Sequence, residues 1–203
     1  LSPAYSHLYL CIAGELAAVI CIHDPLRREA RDAVAALHAC GIGKVVMMTG
    51  DNRQTAQAVA REVGVDAVYA EVLPEDKAAF IRSEKAAGHT VIMVGDGVND
   101  SPALSEADAG VAISTGAAIA REIADITIAS EDLFELVTLR RLSQALMARI
   151  HRNYRFIVGF NLSLILLGVA GLLPPTTSAL LHNMSTLGIS LKSMTDLQPD
   201  QPQ

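Results

Sequence analysis

The segment from Thr90 to Leu104 narrows the range of possible folds more than any other part of the chain. An apolar run, Thr90–Val94, leads directly into the sequence Gly-Asp-Gly-Val-Asn-Asp-Ser-Pro-Ala-Leu. A short continuous apolar run bounded by turn residues is typical of a strand that is buried on both faces. The next loop carries two carboxylates, Asp96 and Asp100, and hard oxygen ligands suit Mg²⁺ shared with a phosphate. Because a capping role would need only one aspartate, the segment predicts a magnesium site after a buried strand.

Strands and helices are predicted to alternate along the first two thirds of the chain. A hairpin comes first, over Leu8–Ile12 and Leu16–Ile22. The later strands are expected at Lys44–Met48, Ala67–Ala70, Thr90–Val94, Ala109–Ile113 and Ile126–Ala129, and the helices at Arg27–Cys40, Asn52–Val63, Pro74–Ala87, Ser101–Ala107 and Ala117–Ile123. This alternation is typical of βαβ units and predicts an α/β fold with a doubly wound parallel sheet. Ligands bind such sheets at the carboxyl ends of the strands.

Two further polar segments fall at these strand and helix ends. Thr49-Gly50-Asp51-Asn52 follows the strand Lys44–Met48, and a hydroxyl with backbone N–H groups at such a junction can hold phosphoryl oxygens. Asp51 could equally be the N-cap of the next helix. Lys77 ends the sequence Leu-Pro-Glu-Asp-Lys at the start of a helix. It is either a point donor to phosphate or a solvated surface lysine.

The last third of the chain is expected to be helical and to enter a membrane. A helix from Asp132 to about Arg155 ends in a basic cluster, and the apolar run Phe156–Leu173 that follows is long enough to cross a hydrocarbon core. A weaker apolar stretch covers Ser178–Met194. The basic cluster predicts that this end faces the cytoplasm. We therefore expect a phosphate-handling domain, a connecting basic helix, two transmembrane helices and a polar tail, at residues 1–134, 135–155, 156–194 and 195–203.

Charge and cysteine content argue against several other classes of protein. The 203 residues carry a net charge of −6, which argues against a nucleic-acid-binding surface. Hydrophobic residues make up 51% of the chain but aromatic residues only 4%, a balance that favours buried parallel strands and tightly packed or lipid-facing helices. Cys11, Cys21 and Cys40 form no Cys-x-x-Cys pair, so neither a disulfide framework nor a zinc cluster is expected.

Four motifs, taken together and in this order, resemble the phosphorylation domain of P-type ATPases. They are Asp24-Pro25-Leu26-Arg27, Thr49-Gly-Asp-Asn52, Leu73-Pro-Glu-Asp-Lys77 and Gly95-Asp-Gly-Val-Asn-Asp-Ser-Pro-Ala-Leu104. The last motif is very specific, and the resemblance covers essentially the whole chain, because the family continues from this domain through a helix into membrane spans. The resemblance implies a haloacid-dehalogenase-like (HAD-like), Rossmann-like fold. It also implies ATP-driven ion transport through an aspartyl-phosphate, with ATP and Mg²⁺ as cofactors.

The resemblance assigns roles to the residues of the acidic loop and to the lysine. Asp96 and Asp100 are expected to hold Mg²⁺, with Asp96 the nearer to the phosphoryl group. Asn99 is expected to support the metal loop. Lys77 is expected to stabilise phosphate charge.

It assigns further roles to the two earlier motifs. Lys77, Thr49, Gly50 and Asp51 are the candidate catalytic residues, and Thr49 and Gly50 are expected to hold phosphoryl oxygens. Asp24 and Arg27 are expected at the hinge to a nucleotide-binding domain, where Arg27 can reach the phosphates of ATP. This would place the first domain in the cytoplasm and the helical part in a plasma or inner membrane, as in a multi-pass transporter.

The chain also departs from the family pattern. The Asp-Lys-Thr-Gly-Thr segment with the nucleophilic aspartate is absent, as are the nucleotide-binding domain, the actuator domain and the earlier membrane helices, which we expect as partners from the same pump. Phosphoryl transfer without its nucleophile loses the covalent step, so the chain alone is expected to form no phosphoenzyme. The strand that bears the nucleophile is central in this fold, so we expect an incomplete sheet with exposed apolar edges.

Two spans after the phosphorylation domain resemble the heavy-metal subfamily. Polar or ionisable groups inside a span are functional candidates. The candidates for binding the transported transition-metal ion are Asn161, His182, Asn183, Ser185 and Thr186. Imidazole suits Zn²⁺, Cu or Ni²⁺, whereas amide and hydroxyl oxygens tolerate Mn²⁺, and hydrogen bonding between helices is the alternative role. The sequence leaves the ion open.

Two other functions stay open at this stage. A soluble phosphatase of the same fold would share the acidic loop and the lysine, but it would need its own nucleophile near the N-terminus, where only Asp24, followed by Pro25, is found. A non-catalytic fragment that binds Mg²⁺ and regulates a pump is the third hypothesis.

Overall fold

The structure, a computed structural model, describes residues 6–22, 25–96, 100–113, 122–130 and 132–197. The strands are β1 Ser6–Ile12, β2 Glu15–Ile22, β3 Val46–Met48, β4 Ala67–Tyr69, β5 Ile92–Gly95, β6 Ala109–Ile113 and β7 Ile126–Ile128. The helices are α1 Ala30–Ala39, α2 Arg53–Val63, α3 Pro74–Ala86, α4 Ser101–Glu106, α5 Phe134–Val169 and α6 Pro175–Ser193. The predicted alternation is confirmed, and most of the predicted helix over Ala117–Ile123 lies outside the described residues. The chain divides into two compact units, Leu1–Val137 and Thr138–Gln203.

Strands β1 and β2 form the predicted antiparallel hairpin. Its turn contains Ala13 and Gly14 with φ of 53° and 86°, and glycine adopts this left-handed region without strain. Consecutive residues point to opposite faces of a strand, yet neighbours such as Leu8 and Tyr9 are 56% and 58% exposed. A two-stranded hairpin is marginally stable alone. Both of its faces are therefore apolar surfaces that the described residues leave uncovered.

The predicted α/β fold with parallel strands is confirmed, but the strands form two separate sheets. β3 pairs with β4, and β6 lies between β5 and β7. All three of these pairings are parallel. Within the described part of the chain, β3 and β5 each keep one edge without a strand partner. Within the described residues no strand pairing joins the two sheets, and this missing pairing is called the break between β3 and β5. That the sheet is incomplete stays a prediction.

Strand β5 is less buried than its apolar sequence predicts. Met93 is 7% exposed, but Ile92 and Val94, which point to the opposite face, are 45% and 37% exposed. The prediction of a strand buried on both faces is wrong for this structure, because only the Met93 side packs against the core. The apolar side chains on the other face of β5, Ile92 and Val94, are exposed.

Helices α2 and α3 begin and end at residues with clear capping chemistry. The Asn52 side chain accepts a hydrogen bond from the N–H of Thr55 at 3.0 Å, and α2 ends at Gly64 with a left-handed φ of 80°. Such glycines are common helix terminators. In the first turn of α3, the carboxylate of Asp76 accepts from the N–H of Leu73 at 3.2 Å. These local signals explain why both helices are predictable from the sequence.

Packing between α3, α4 and β5 builds the core of the first unit. Ile81, Met93 and Leu104 form its buried cluster, and Met48 at the end of β3 packs against it. Gly110 of β6 lies so close to α4 that a Cβ there would be 2.7 Å from the carbonyl oxygen of Leu104. Because the same cluster contacts β3 and β5, it holds the carboxyl ends of both strands beside α3.

Aspartates immediately precede three of the parallel strands, β4, β6 and β7. The carboxylate of Asp66, just before β4, accepts from the N–H of Val45 at 2.6 Å. Asp108, just before β6, accepts from the N–H of Val91 at 2.8 Å, and Asp125 occupies the same position before β7. Each carboxylate satisfies a backbone donor that the strand ladder leaves unpaired. These carboxylates lie at the amino ends of the strands, opposite the predicted site.

The second unit is built from two helices. α5 continues without a break through the predicted basic helix and into the first apolar run, and it ends at Val169. A turn containing Gly171, with φ of 72°, leads to α6 at Pro175. The predicted pair of helices is therefore present, with a continuous first helix in place of two separate parts.

Neither helix of this pair, nor any other in the described ranges, has the combined length and apolar character needed to cross a membrane. The predicted span Phe156–Leu173 extends beyond the helix, because α5 ends at Val169. The residues of α5 that precede this run include Arg152 and Arg155. The predicted hairpin of two helices is thus observed, but neither helix is long and apolar enough to cross a membrane.

Candidate functional site

Lys77 and Asp100 form an ion pair near the carboxyl end of β5. Lys77 lies near the start of α3, and Asp100 immediately precedes α4. The ammonium Nζ of Lys77 donates to Oδ1 of Asp100 at 2.7 Å, and the two side chains are only 15% and 13% exposed. Charges shielded from water interact more strongly than charges on the surface. The structure therefore pairs two residues that were expected to have separate roles, Lys77 with phosphate and Asp100 with magnesium.

Gly95, the last residue of β5, makes room for the carboxylate of Asp100. A Cβ on Gly95 would lie 2.5 Å from Oδ2 of Asp100, a separation that real Cβ atoms essentially never show. Asp96 follows directly in the chain and has contacts of its own with the protein. Residues 97–99 lie outside the described residues, so the role expected for Asn99 stays a prediction.

The residues present at this strand end fit a magnesium ion. Nowhere in the described ranges do three or more His, Cys, Asp or Glu side chains gather as a metal site would require. Mg²⁺, however, usually keeps several waters and takes only one or two carboxylates from the protein. The carboxylate of Asp100 already binds a cation, the ammonium of Lys77. Asp96 and Asp100 would therefore hold the metal, whose charge would neutralise phosphoryl oxygens.

The loop Thr49–Asp51 follows β3 and is fixed by its own side chains. The hydroxyl of Thr49 donates to Oδ2 of Asp51 at 2.8 Å and accepts from the N–H of Asp51 at 3.1 Å. The N-cap of α2 is Asn52. The alternative that Asp51 caps this helix is therefore wrong, and Asp51 instead shapes the phosphate-loop candidate.

Hydrogen bonds connect this loop to the segment that enters α3. The backbone N–H groups of Glu71 and Val72 donate to carbonyl oxygens of the loop at 3.0 and 3.1 Å. Gly50 is open, because the nearest atom to a Cβ built on it is the Val72 carbonyl oxygen at 3.9 Å. The loop Thr49–Asp51 is therefore joined by hydrogen bonds to the segment that leads into α3, the helix that carries Lys77.

Arg27 lies beside a cavity in the first unit. The cavity has a volume of about 400 Å³ and is lined by Arg27, Glu29, Asp132 and Phe134. Asp24, the other predicted hinge residue, lies outside the described residues. The expected contact of Arg27 with ATP phosphates stays a prediction.

In the second unit, the structure brings Asn161 of α5 and His182 of α6 together. His182 Nδ1 lies 2.8 Å from the side-chain oxygen of Asn161. An amide oxygen only accepts hydrogen bonds, so this contact requires a proton on Nδ1. The neutral ring then has a lone pair on Nε2, the arrangement of a metal-binding histidine whose other nitrogen is held by a hydrogen bond.

The other three ion candidates lie close to His182 along α6. The hydroxyls of Ser185 and Thr186 donate to the carbonyl oxygen of His182 at 2.8 and 3.1 Å. Asn183 makes no side-chain hydrogen bond within the described residues. Ser185 and Thr186 are thus occupied by local helix hydrogen bonds, and of the five candidates only Asn161 and His182 meet across the helix pair.

Arg149 makes contacts at the end of α6 that were not predicted from the sequence. Its guanidinium donates to the carbonyl oxygens of Ser193, Thr195 and Asp196 at 3.2, 2.6 and 2.8 Å. The last carbonyls of a helix lack partners within the helix and attract a cation. The basic residues of α5 were visible in the sequence, but the one that reaches the end of α6 depends on how the hairpin folds.

Comparison with known proteins shows the family to which the chain is similar. The family model of the haloacid dehalogenase-like hydrolases matches residues 3–108. Copper-transporting ATPase 2 of Rhizobium meliloti is 46% identical over 176 residues, or 87% of this chain and 21% of the relative. The manganese-exporting P-type ATPase of Mycobacterium bovis is 40% identical over 191 residues, or 94% of this chain and 27% of the relative. The crystal structure of a zinc-transporting PIB-type ATPase in its E2.Pi state superimposes with a TM-score of 0.83 and 29% identity, over 95% of this chain and 32% of that one.

The chain belongs to the haloacid dehalogenase-like hydrolases, since the matched region contains β1 to α4 and both polar loops of the site. Its relatives within that family are heavy-metal P-type ATPases that export or transport copper, manganese or zinc. The chain spans between a fifth and a third of the length of these relatives.

Proposed function

We propose that this chain supplies the magnesium- and phosphate-binding half of the phosphorylation domain of an ATP-driven heavy-metal transporter. The observation that carries the proposal is the shielded contact between Lys77 and Asp100, beside a loop after β3 that is connected to α3. An ammonium group and a carboxylate at the carboxyl ends of parallel strands can bind and stabilise a phosphoryl group, the carboxylate through a metal ion.

Each residue of the site has a defined role in this proposal. Asp96 and Asp100 bind Mg²⁺, and Lys77 stabilises the charge of the phosphoryl group. Thr49 and Gly50 receive phosphoryl oxygens, which requires the Thr49 hydroxyl to leave Asp51. At the hinge, Arg27 contacts ATP phosphates, next to Asp24. Asn99 supports the metal loop.

We propose that a strand from another part of the transporter fills the break between β3 and β5. β3 and β5 each have one edge without a strand partner in the described residues. Met48 and Met93 nevertheless pack into one cluster, which keeps the two strands in the same unit. A strand inserted there would end between Thr49 and Asp96, where a nucleophilic aspartate could reach a phosphoryl group held by both loops.

This arrangement makes the chain dependent on the rest of the transporter. The nucleotide-binding domain, the actuator domain and the other membrane helices are its partners in the proposal. The nucleophile comes from the Asp-Lys-Thr-Gly-Thr segment of the same transporter. The chain alone therefore forms no aspartyl-phosphate. Acid-stable labelling of the isolated chain by γ-labelled ATP would contradict this part of the proposal.

The helix pair is proposed to lie within the bilayer as two membrane spans of the transporter, with the first unit in the cytoplasm. Large apolar side chains of both helices are exposed, among them Phe156, Leu162, Ile165, Leu180 and Leu187. Lipid and neighbouring helices are the partners such a surface suits. Within the pair, Nε2 of His182 would contact a transition-metal ion, and Asn161 would orient the ring.

The proposal is tested on the intact transporter with Asp96→Asn. We expect this change to lower both Mg²⁺ affinity, measured by calorimetry, and the rate of metal-stimulated ATP hydrolysis, because one carboxylate ligand is lost. Asp32→Asn, at an exposed position of α1, is the matched control and should change neither. If Asp96→Asn leaves affinity and turnover intact, the proposed magnesium site is wrong.

A further inference from the structure

Both oxygens of the Asp100 carboxylate already have close neighbours. Oδ1 accepts a hydrogen bond from the ammonium of Lys77 at 2.7 Å. Oδ2 lies 2.5 Å from the position that a Cβ on Gly95 would take. The side chains of the ion pair are largely shielded from water. Magnesium bound at this carboxylate would therefore lie beside the ammonium of Lys77, where the two positive charges repel each other. The lysine side chain is flexible and can move away.

We propose that Lys77 and Mg²⁺ compete for the carboxylate of Asp100, and that binding of Mg²⁺ at Asp100 releases Lys77 toward the phosphoryl site. This inference rests on the proposed function of the acidic loop. A divalent cation and an ammonium group repel each other, and they compete for the same carboxylate oxygen. Lys77 therefore leaves Asp100 when the metal binds.

The position of Lys77 in α3 indicates which part of the site its ammonium group can reach after release. The residue lies near the start of α3, and the segment that enters this helix is bonded to the loop Thr49–Asp51. Its ammonium is a mobile point charge on a four-carbon chain, so its release brings a positive charge toward this loop. Lys77 thus becomes a partner for the phosphoryl group only after the metal site is filled, which orders the two binding events.

A simpler arrangement gives a different result. Lys77 could keep its contact with Asp100 while the metal binds elsewhere in the loop. In that case the lysine would weaken metal binding only through general repulsion, and its amine would stay shielded. The accessibility of the Lys77 amine with and without metal therefore separates the two arrangements, without any measurement of activity.

The first experiment is amine acetylation of the full chain, with peptide mass spectrometry, in the absence and presence of magnesium chloride. Lys85 is the internal control, because it lies on the same helix and forms its own ion pair with Asp108 at 3.3 Å. We expect Mg²⁺ to raise the labelling rate of Lys77 several-fold and to leave Lys85 unchanged. In Asp100→Asn, Lys77 should be labelled at the faster rate without metal. A Lys77 rate that does not respond to bound Mg²⁺ overturns the inference.

The second experiment measures Mg²⁺ binding by calorimetry in Lys77→Met, with Lys85→Met as the matched control. Removing the competing ammonium should tighten binding several-fold, whereas the control should bind as the unaltered chain does. Lys77→Gln serves if the first variant fails to fold. Equal affinities in the Lys77 variants and the unaltered chain would overturn the inference while the magnesium site still stands. If the unaltered chain binds no Mg²⁺, the proposed function and the inference both fail.

Discussion

The carboxylate of Asp100 rests on Gly95, where an added Cβ would lie 2.5 Å from Oδ2 and 2.8 Å from the Cβ of Asp100. Gly95→Ala must therefore push the aspartate away from the strand end. We expect unfolding free energy to fall by about 1–3 kcal/mol, the usual cost of an overpacked interior. We also expect Mg²⁺ binding to weaken by about tenfold, or roughly 1.4 kcal/mol. Urea unfolding and calorimetry measure the two effects.

Gly43→Ala is the control for this change, because a Cβ at Gly43 has no neighbour within 4 Å. It should leave both quantities nearly unaltered. Equal behaviour of the two variants would mean that the close contact at Asp100 has no energetic importance.

Asp108 gives the first unit a pH-dependent contribution to stability. The hydrogen bond from the N–H of Val91 is the main cause that holds the pKa of Asp108 below its ordinary value, and the ammonium of Lys85 lowers it further. A carboxyl whose pKa is lower in the folded than in the unfolded state stabilises the fold above its unfolded pKa, and this effect is lost as pH falls through the folded pKa. Asp108→Asn keeps an acceptor but removes the charge.

We therefore expect Asp108→Asn to be less stable than the unaltered chain at neutral pH. The difference should shrink as pH falls below about 4, where the unfolded carboxyl is itself protonated. Chemical unfolding at a series of pH values measures it. A difference that stays constant down to pH 2 or so would show that the charge of Asp108 is not its source.

Arg149 is expected to hold the end of α6 through its three carbonyl contacts. Arg149→Ala should raise amide hydrogen exchange several-fold at residues 190–196, because the terminal carbonyls lose their cation. Arg149→Lys should give an intermediate rate, since an ammonium lacks the planar fork of arginine. Arg152→Ala, an exposed arginine on the same helix, is the control. Unchanged exchange in Arg149→Ala would contradict the assigned role.

Local signals explain the parts of the fold that the sequence predicted. Caps such as Asn52 and terminators such as Gly64 act within a few residues of each other, so the sequence indicates them directly. The acidic loop is indicated by the sequence in the same way, because Asp96 and Asp100 lie four positions apart after an apolar run, and its magnesium-binding role stays a prediction.

Relations between distant segments were not predictable in this way. Lys77 and Asp100 are 23 residues apart, and their contact depends on how α3 packs beside β5. The break between β3 and β5 depends on strand pairing, which apolar pattern alone does not specify. The end of α5 at Val169 was missed because the apolar run continues past it, through Leu173.

The contact between His182 and Asn161 leads to a prediction about the transported ion. In the intact transporter, His182→Ala should abolish most of the stimulation of ATP hydrolysis by the physiological metal, because the imidazole lone pair is lost. Asn161→Ala leaves the ring but removes the acceptor that holds its Nδ1 proton. Loss of such an orienting partner typically lowers metal affinity by about 10–100-fold.

Two further variants make this prediction specific. Asn161→Asp keeps an oxygen acceptor for Nδ1 and should restore much of the affinity, whereas Asn161→Leu, which fills the site without an acceptor, should not. Ser190→Ala is the control, because its hydroxyl bonds only to the carbonyl of Thr186 on its own helix. Zn²⁺, Cu⁺, Ni²⁺ and Mn²⁺ are compared by metal-stimulated ATP hydrolysis and by equilibrium binding. If His182→Ala responds to all four ions as the unaltered transporter does, the helix pair holds its polar groups for packing and the ion binds elsewhere.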